Sequence, residues 1–240
     1  MKRILAIVPA FNEGGNIKRT LEEIKGAPFL MDVVVVDDGS SDDTRREALA
    51  SEASVVSLPF NLGIGAAVQT GLLYAQHYSY DAAVRVDGDG QHDIHYLEDL
   101  LRPVLNLEAD LVIGSRFISP FLGYRSSLIR RVGIHFFANL ISGIIHSRIT
   151  DPTSGFQAFS RRAIKVFAQS YPYDFPEPES IVVAQRLGLR VREVPVQMRK
   201  RLAGRTSIRY LVTFYYMVKV TFAILIDMMK KNKGGDSSER

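Results

Sequence analysis

Short apolar runs alternate with longer segments of helical spacing through the first half of the chain. The runs are rich in Val and Ile and lie at Ile4 to Val8, Val33 to Val36, Val55 to Leu58, Ala82 to Val86 and Leu111 to Ile113. They are unbroken rather than alternating, which is typical of strands that are covered on both faces. Since strands that alternate with helices are joined by right-handed crossovers, the pattern predicts an α/β fold with a mostly parallel central sheet flanked by helices.

Beyond Gly114 the pattern is less regular. Apolar spacing predicts three further helices, over residues 128–145, 161–169 and 179–187. The turn-forming sequence Asp-Pro-Thr-Ser-Gly occupies residues 151–155. Residues 191–196 are predicted to form a strand, and Pro195 places it at an edge of the sheet because proline cannot donate a ladder hydrogen bond.

A hydrophobic segment lies near the C-terminus. Of the 17 residues from Tyr210 to Ile226, only Thr213, Lys219 and Thr221 are neither apolar nor aromatic. A helix of this length spans ~25 Å, which is shorter than the ~30 Å hydrocarbon core of a bilayer, and Lys219 would lie near its middle. We therefore expect a helix that lies in the membrane interface or contacts another subunit, rather than one that spans the membrane.

The chain is predicted to have three parts. Residues 1–207 form one globular domain, residues 208–231 form the membrane-interface or oligomer-contact helix, and residues 232–240 form a disordered tail rich in Gly and Ser. The apolar run after Met1 is too short for a signal peptide, because Pro9 ends it. We therefore expect a cytoplasmic protein.

Composition and charge narrow the possible functions. The chain has no Cys, which excludes disulfides, Cys-ligated zinc, iron-sulfur clusters and a cysteine nucleophile. Residues 186–240 hold 13 basic and 4 acidic side chains, although the net charge of the whole chain is only +4. A basic tail can contact nucleic acid, an anionic membrane or a phosphate-bearing substrate, or it can simply be solvated.

Polar and small residues follow the predicted strands where ligands of open α/β sheets bind. Pro9 to Glu13 follows the first strand, and Asp37 and Asp38 end the second. The Gly-rich run Asn61 to Ala67 opens a helix whose backbone amides could face a phosphate. Each motif alone is equally consistent with a helix cap or a turn.

The most informative motif follows the fourth predicted strand. Asp87 and Asp89 are separated by one glycine and are followed by Gln91. A hard divalent cation such as Mg or Mn is bound by one or two carboxylates together with substrate phosphates. The spacing therefore predicts a site for a divalent cation and a diphosphate, with a simple Asp-Gly turn as the alternative.

Taken together, these motifs resemble those of family 2 glycosyltransferases, which have the GT-A fold with a Rossmann-like sheet. The resemblance covers about residues 3–207, and it is greatest to the dolichol-phosphate mannose synthase-like polyprenyl-phosphate sugar transferases. The motifs that match the family are Pro9-Ala10-Phe11-Asn12-Glu13, Val36-Asp37-Asp38-Gly39-Ser40, Asn61-Leu62-Gly63-Ile64-Gly65, Asp87-Gly88-Asp89-Gly90-Gln91-His92, Gly114-Ser115-Arg116-Phe117 and Asp151-Pro152-Thr153-Ser154-Gly155-Phe156. The closer likeness rests on Glu177-Pro178-Glu179, Glu193-Val194-Pro195-Val196, and Arg201 with Gly204 and Ser207.

The resemblance implies a role for each matching residue. The residues implied to hold the nucleotide-sugar donor are Pro9, Ala10, Glu13, Asp38, Gly65, Asp87 and Arg201. The residues implied to hold the Mg or Mn cofactor are Asp87, Asp89 and Gln91. Arg116 and Arg131 are implied to bind an acceptor phosphate. If the acceptor is a hydroxyl, Glu179 is the carboxylate best placed to act as a base, with Glu177 and Asp151 as the alternatives.

The resemblance implies an inverting, metal-dependent transfer of a sugar from a nucleotide sugar to a polyprenyl phosphate. The expected partners are the donor, the lipid acceptor and a membrane surface, with no nucleic acid; a homo-oligomer through residues 208–231 remains open. The expected location is peripheral, at the inner face of the cell membrane.

One alternative function is transfer of the sugar to a hydroxyl of a cell-surface glycan, and another is a non-catalytic subunit of a membrane complex. A dinucleotide oxidoreductase is disfavoured because no Gly-x-Gly-x-x-Gly follows the first strand.

Overall fold

The computed structural model describes residues 2–118, 128–145, 147–199 and 219. Its strands are β1 (Ile4–Ala10), β2 (Asp32–Asp37), β3 (Ser54–Ser57), β4 (Ala82–Arg85), β5 (Leu111–Ser115), β6 (Gln157–Ser160) and β7 (Val191–Pro195). Its helices are α1 (Ile17–Lys25), α2 (Thr44–Ala50), α3 (Ile64–His77), α4 (Leu97–Leu105), α5 (Leu128–Ile145), α6 (Arg161–Ser170) and α7 (Pro176–Arg186). A 3₁₀ turn, Ile94–Tyr96, precedes α4.

The seven strands form one sheet in the order β3-β2-β1-β4-β6-β5-β7. Every neighbouring pair is parallel except the two that involve β6, which runs antiparallel to β4 and β5. The predicted mostly parallel α/β sheet is confirmed, and β7 lies at an edge as Pro195 indicated. Strand β6 was not predicted from the sequence.

Both faces of the sheet are covered by apolar side chains. Along β1, Leu5 and Ile7 pack into one hydrophobic cluster with α3, α5, α6 and α7. Ala6 and Val8, which point to the other face, pack with α1 and α4. This double coverage explains why the strand sequences are unbroken apolar runs.

Helix α7 begins earlier than the sequence indicated. It starts at Pro176, three residues before the predicted start at 179, because proline is favoured in the first helical turn where its missing N–H is not needed. Glu177 and Glu179 therefore both lie in the first turn of α7.

The predicted C-terminal helix and tail lie outside the described residues, apart from Lys219. In the part of the chain that the structure describes, no helix is long and apolar enough to cross a membrane. The Lys219 Nζ lies 3.6 Å from the carboxylate of Asp174 and over the ring of Phe175. Asp174 and Phe175 belong to the loop before α7.

Candidate functional site

An open cleft of about 200 Å³ lies at the carboxyl edge of the sheet, where β1, β2 and β4 end. Six of the residues predicted to bind the donor or metal line it: Pro9, Ala10, Glu13, Asp38, Asp87 and Asp89. Phe11, Ile64, Ala67, Arg85 and Gly88 complete the lining. The structure therefore brings together the strand-end motifs that are far apart in sequence.

Asp38 holds the Gly-rich loop at the mouth of the cleft. Its carboxylate is buried, and its two oxygens accept hydrogen bonds from the backbone amides of Leu62 at 2.7 Å and Gly63 at 2.9 Å. The neighbouring Gly39 has a φ of +72°, and a Cβ there would lie 2.6 Å from the Phe60 backbone. The end of β2 and the start of α3 are thus fixed against each other beside the cleft.

Gly65 has a packing role in the structure. A Cβ at this position would lie 2.5 Å from the carbonyl oxygens of both Pro172 and Tyr173. Only glycine lets the first turn of α3 approach the loop between α6 and α7 this closely. Gly65 is not among the residues that line the cleft, so its contact with the donor stays a prediction.

The floor of the cleft is an ion-pair cluster around Arg85, which lies in β4 and has a side chain only 3% exposed. Its Nε donates to Asp87 Oδ1 at 2.8 Å, and its Nη1 donates to Glu177 Oε1 at 2.8 Å. Burial alone would lower the pKa of Arg85, but the charges of Asp87 and Glu177 outweigh burial and raise it above its ordinary value. Arg85 is therefore a buried cation between two carboxylates.

Sequence reasoning missed Arg85 as a site residue, although a signal was present. It is the only charged residue in the predicted strand Ala82 to Val86. A charged side chain in a strand that is covered on both faces must be paired, because an unpaired buried charge is strongly unfavourable. The nearest carboxylate in the sequence, Asp87, is one of its partners.

His92 supports the loop that carries the two aspartates. Its Nδ1 accepts a hydrogen bond from the Asp87 backbone amide at 3.0 Å, and its ring stacks on Phe156 with centroids 4.5 Å apart. Burial lowers the pKa of His92 to about 4, so the ring is neutral and its proton is on Nε2. In the same loop, Asp89 Oδ1 accepts from the Gln91 amide at 3.0 Å.

The aspartate loop fits a divalent cation that is shared with a diphosphate. Among the described residues no group of three or more His, Asp or Glu side chains could hold a metal by themselves. Mg and Mn, however, commonly take one or two carboxylates and fill their other positions with phosphate oxygens and water. Because Asp87 shares its charge with Arg85, a cation here would gain much of its affinity from the phosphates of the ligand.

Arg116, predicted to bind the acceptor, is held by a buried carboxylate. Its Nε and Nη2 contact the two oxygens of Asp151 at 2.6 and 2.7 Å, and Nη2 also donates to Thr153 Oγ1 at 2.8 Å. The amides of Thr150 and Asp151 in turn donate to the Glu193 carboxylate, each at 2.8 Å. The resulting chain from β7 through the 150–153 turn fixes the guanidinium at the end of β5.

The other predicted site residues lie away from the cleft or outside the described residues. Glu179 is in the first turn of α7 and does not line the cleft. Gln91 accepts a backbone hydrogen bond from Arg199 at 2.8 Å. Arg131 is on α5, but its side chain lies outside the described residues, and so does Arg201.

The site can be compared with known proteins. Residues 5–167 match the family described as Glycosyl transferase family 2. The undecaprenyl-phosphate mannosyltransferase of Micrococcus luteus is 32% identical over 231 residues, which cover 91% of this chain and 93% of that protein. The UDP-N-acetylglucosamine–dolichyl-phosphate N-acetylglucosaminyltransferase of Methanococcus voltae is 30% identical over 218 residues, covering 82% and 85%.

A solved structure matches the fold. Glucosyl-3-phosphoglycerate synthase from Mycobacterium tuberculosis, crystallised with Mn²⁺, UDP and glucosyl-3-phosphoglycerate, superposes with a TM-score of 0.71 and 25% identity. The match covers 94% of this chain and 79% of the synthase chain. The same synthase has also been crystallised with Mg²⁺ and UDP.

Proposed function

The chain belongs to glycosyl transferase family 2, and on that premise we propose that it transfers a sugar, with inversion, from a nucleoside diphosphate sugar to a polyprenyl phosphate. The GT-A fold and glycosyltransferase activity expected from the motifs are confirmed by the family and its structural neighbours, which argues against a non-catalytic subunit. The observation that supports the proposal best is the cleft that joins Asp38, Asp87 and Asp89 at one sheet edge. The lipid acceptor is supported by the activities named for the two relatives.

On the donor side, the nucleoside binds between the ends of β1 and β2. Pro9, Ala10, Glu13 and Asp38 line this part of the cleft. The diphosphate lies toward Asp87 and Asp89, with Gln91 in the same loop. A divalent cation held there by Asp87 and Asp89 would neutralise charge on the diphosphate and make it a better leaving group.

On the acceptor side, the reaction depends on positioning. A phosphate is already an anion at neutral pH, so it needs cations to hold it and no base to ionise it. Arg116, which Asp151 orients, holds the acceptor phosphate in this proposal, and Arg131 and Arg201 assist it. A phosphate oxygen attacks the anomeric carbon as the bond to the nucleoside diphosphate breaks, which inverts the configuration.

The same proposal covers the organisation of the chain. Residues 1–207 form the catalytic domain, residues 208–231 lie at the inner face of the membrane, and residues 232–240 form a tail. A surface location suits a lipid acceptor, and basic residues near an anionic surface contribute about 1 kcal/mol each. Lys219, the described residue of this segment, contacts Asp174 in the loop before α7.

The test uses the full-length protein with a panel of labelled nucleotide sugars, Mn²⁺ or Mg²⁺, and a polyprenyl phosphate in vesicles. We expect label in a butanol-extractable lipid that is released by mild acid. Asp89→Asn should lower this incorporation by several orders of magnitude while the protein stays folded. Label that appears only in an acid-stable glycan would instead indicate a hydroxyl acceptor, and Glu179 would then be the first candidate for the base.

A further inference from the structure

Arg85 links two parts of the molecule that are distant in sequence. Asp87 follows it by two residues at the cleft, whereas Glu177 lies in the first turn of α7. The side chains of Asp87 and Glu177 are 28% and 16% exposed, so the whole cluster is largely shielded from water. Ion pairs in such surroundings are screened much less than pairs at the surface.

The guanidinium has little freedom to take another position. A Cβ on Gly155 would lie 2.7 Å from Arg85 Nη2 and 3.1 Å from Asp87 Oδ2, so any side chain at residue 155 would collide with the pair. Tyr171 is also buried beside the cluster, where burial raises the pKa of its hydroxyl. Close packing therefore holds the planar fork in one orientation.

The two carboxylates use different parts of that fork. Nε donates to Asp87, with Nη2 3.4 Å from its second oxygen, and Nη1 donates to Glu177. Removal of Glu177 would leave the Asp87 contact in place but would remove the second point that fixes the guanidinium. Glu177, which does not line the cleft, therefore helps to fix the guanidinium that Asp87 contacts.

We propose that Arg85 is a positioning residue for the donor, acting through Asp87, and that Glu177 positions Arg85. This rests on the proposed function, because it assumes that the cleft binds a nucleoside diphosphate. It assigns to α7 a role on the donor side, in addition to the role that Glu179 would have as a base for a hydroxyl acceptor. Helix α7 and the aspartate loop are then coupled through one buried cation.

The test measures the dissociation constants of UDP, GDP and dTDP with MnCl₂ by calorimetry, together with the melting temperature, on full-length protein. Arg85→Lys keeps the positive charge but loses the planar guanidinium that contacts both carboxylates. Glu177→Gln keeps the shape of the side chain but loses its negative charge. The matched control is Arg190→Lys, which alters the Arg190–Asp110 pair at the end of the sheet opposite the cleft.

For the nucleotide that the wild type binds, we expect Arg85→Lys to weaken binding by about 10- to 100-fold and Glu177→Gln by about 3- to 10-fold, with Arg190→Lys unchanged. The double variant should bind no more weakly than Arg85→Lys alone, because Glu177 acts only through Arg85. Unchanged affinity in both single variants, in folded protein, would show a purely structural cluster. A wild type that binds none of the nucleotides would overturn the proposed function, and this inference with it.

Discussion

At the scale of single residues, the site is organised by buried charge pairs. Asp151 is completely buried, and Arg116 covers it with two charge-assisted hydrogen bonds. Such bonds are shorter and stronger than neutral ones and fix the plane of the guanidinium. Arg116 is therefore oriented before any ligand arrives, which suits the acceptor-binding role proposed for it.

We expect Asp151→Asn to raise the KM for the lipid acceptor by at least tenfold, while the KM for the nucleotide sugar changes by less than about twofold. The amide has only one acceptor oxygen, so Arg116 loses one of its two side-chain hydrogen bonds to residue 151. Thr153→Val is the control, because it removes the Thr153 hydroxyl, which accepts from Arg116 Nη2 and donates to Asp151 Oδ1, but leaves both oxygens of the Asp151 carboxylate for Arg116. Steady-state kinetics with each substrate varied would check this; an effect on the donor alone would place Arg116 on the other side of the reaction.

His92 offers a second prediction at this scale. His92→Phe keeps the stacking on Phe156 but leaves the Asp87 amide without its acceptor, which costs about 1 to 3 kcal/mol of unfolding free energy for a buried donor. His92→Asn loses the stacking but places a carbonyl oxygen near the position of Nδ1. Urea denaturation measures the loss of stability. Calorimetry should show that the Phe variant also binds nucleoside diphosphate more weakly than the Asn variant. Equal binding in the two variants would mean that the hydrogen bond does not shape the aspartate loop.

At the scale of secondary-structure elements, the periodic helices and the apolar strands were predicted, whereas the short strand β6 was not. Helix α5 has the bounds that apolar spacing predicted, Leu128–Ile145. Strand β6 has only four residues, of which just Ala158 and Phe159 are apolar, so nothing local distinguishes it from a loop. It exists because β4 and β5 both pair with it, which is a tertiary effect.

Gly65 and Gly143 give a matched pair of helical glycines. Gly65→Ala should destabilise the protein by about 1 to 3 kcal/mol, because its Cβ would collide with the loop between α6 and α7. Gly143 has nothing within 4 Å of a Cβ, so Gly143→Ala in α5 should stabilise by about 0.5 to 1 kcal/mol through helix propensity. Chemical denaturation of both variants checks the difference. A Gly65→Ala protein as stable as wild type would show that α3 can move away from the loop.

At the scale of the whole molecule, the topology explains which parts of the site the sequence could reveal. Carboxyl ends of parallel strands share one edge, so Asp38, Asp87 and Asp89 could be brought together from strand prediction alone. The pairing of Arg85 with Glu177 could not, because it joins residues 92 positions apart. Whether two such side chains meet depends on the packing of α7 against the sheet.

The end of the sheet opposite the cleft has its own buried carboxylate. Asp110 is 4% exposed and accepts hydrogen bonds from Ser160 Oγ, the Arg190 amide and Arg190 Nε at 2.9 to 3.2 Å. It therefore joins the start of β5, the end of β6 and the residue before β7. Burial would raise the pKa of Asp110, but the hydrogen bonds from Arg190 and Ser160 outweigh burial and hold it below 3.8.

Asp110→Asn should lower the unfolding free energy by about 1.5 to 3 kcal/mol near neutral pH, because hydrogen bonds to a charged group are lost. Since the folded-state pKa is depressed, this contribution is present above pH 3.8 and disappears as the pH falls through the folded-state value. The difference between wild type and variant in urea denaturation should therefore shrink at acidic pH. The dissociation constant for nucleoside diphosphate should stay the same, because the cleft lies at the other edge; weaker binding in this variant would show that the two edges are coupled through the sheet.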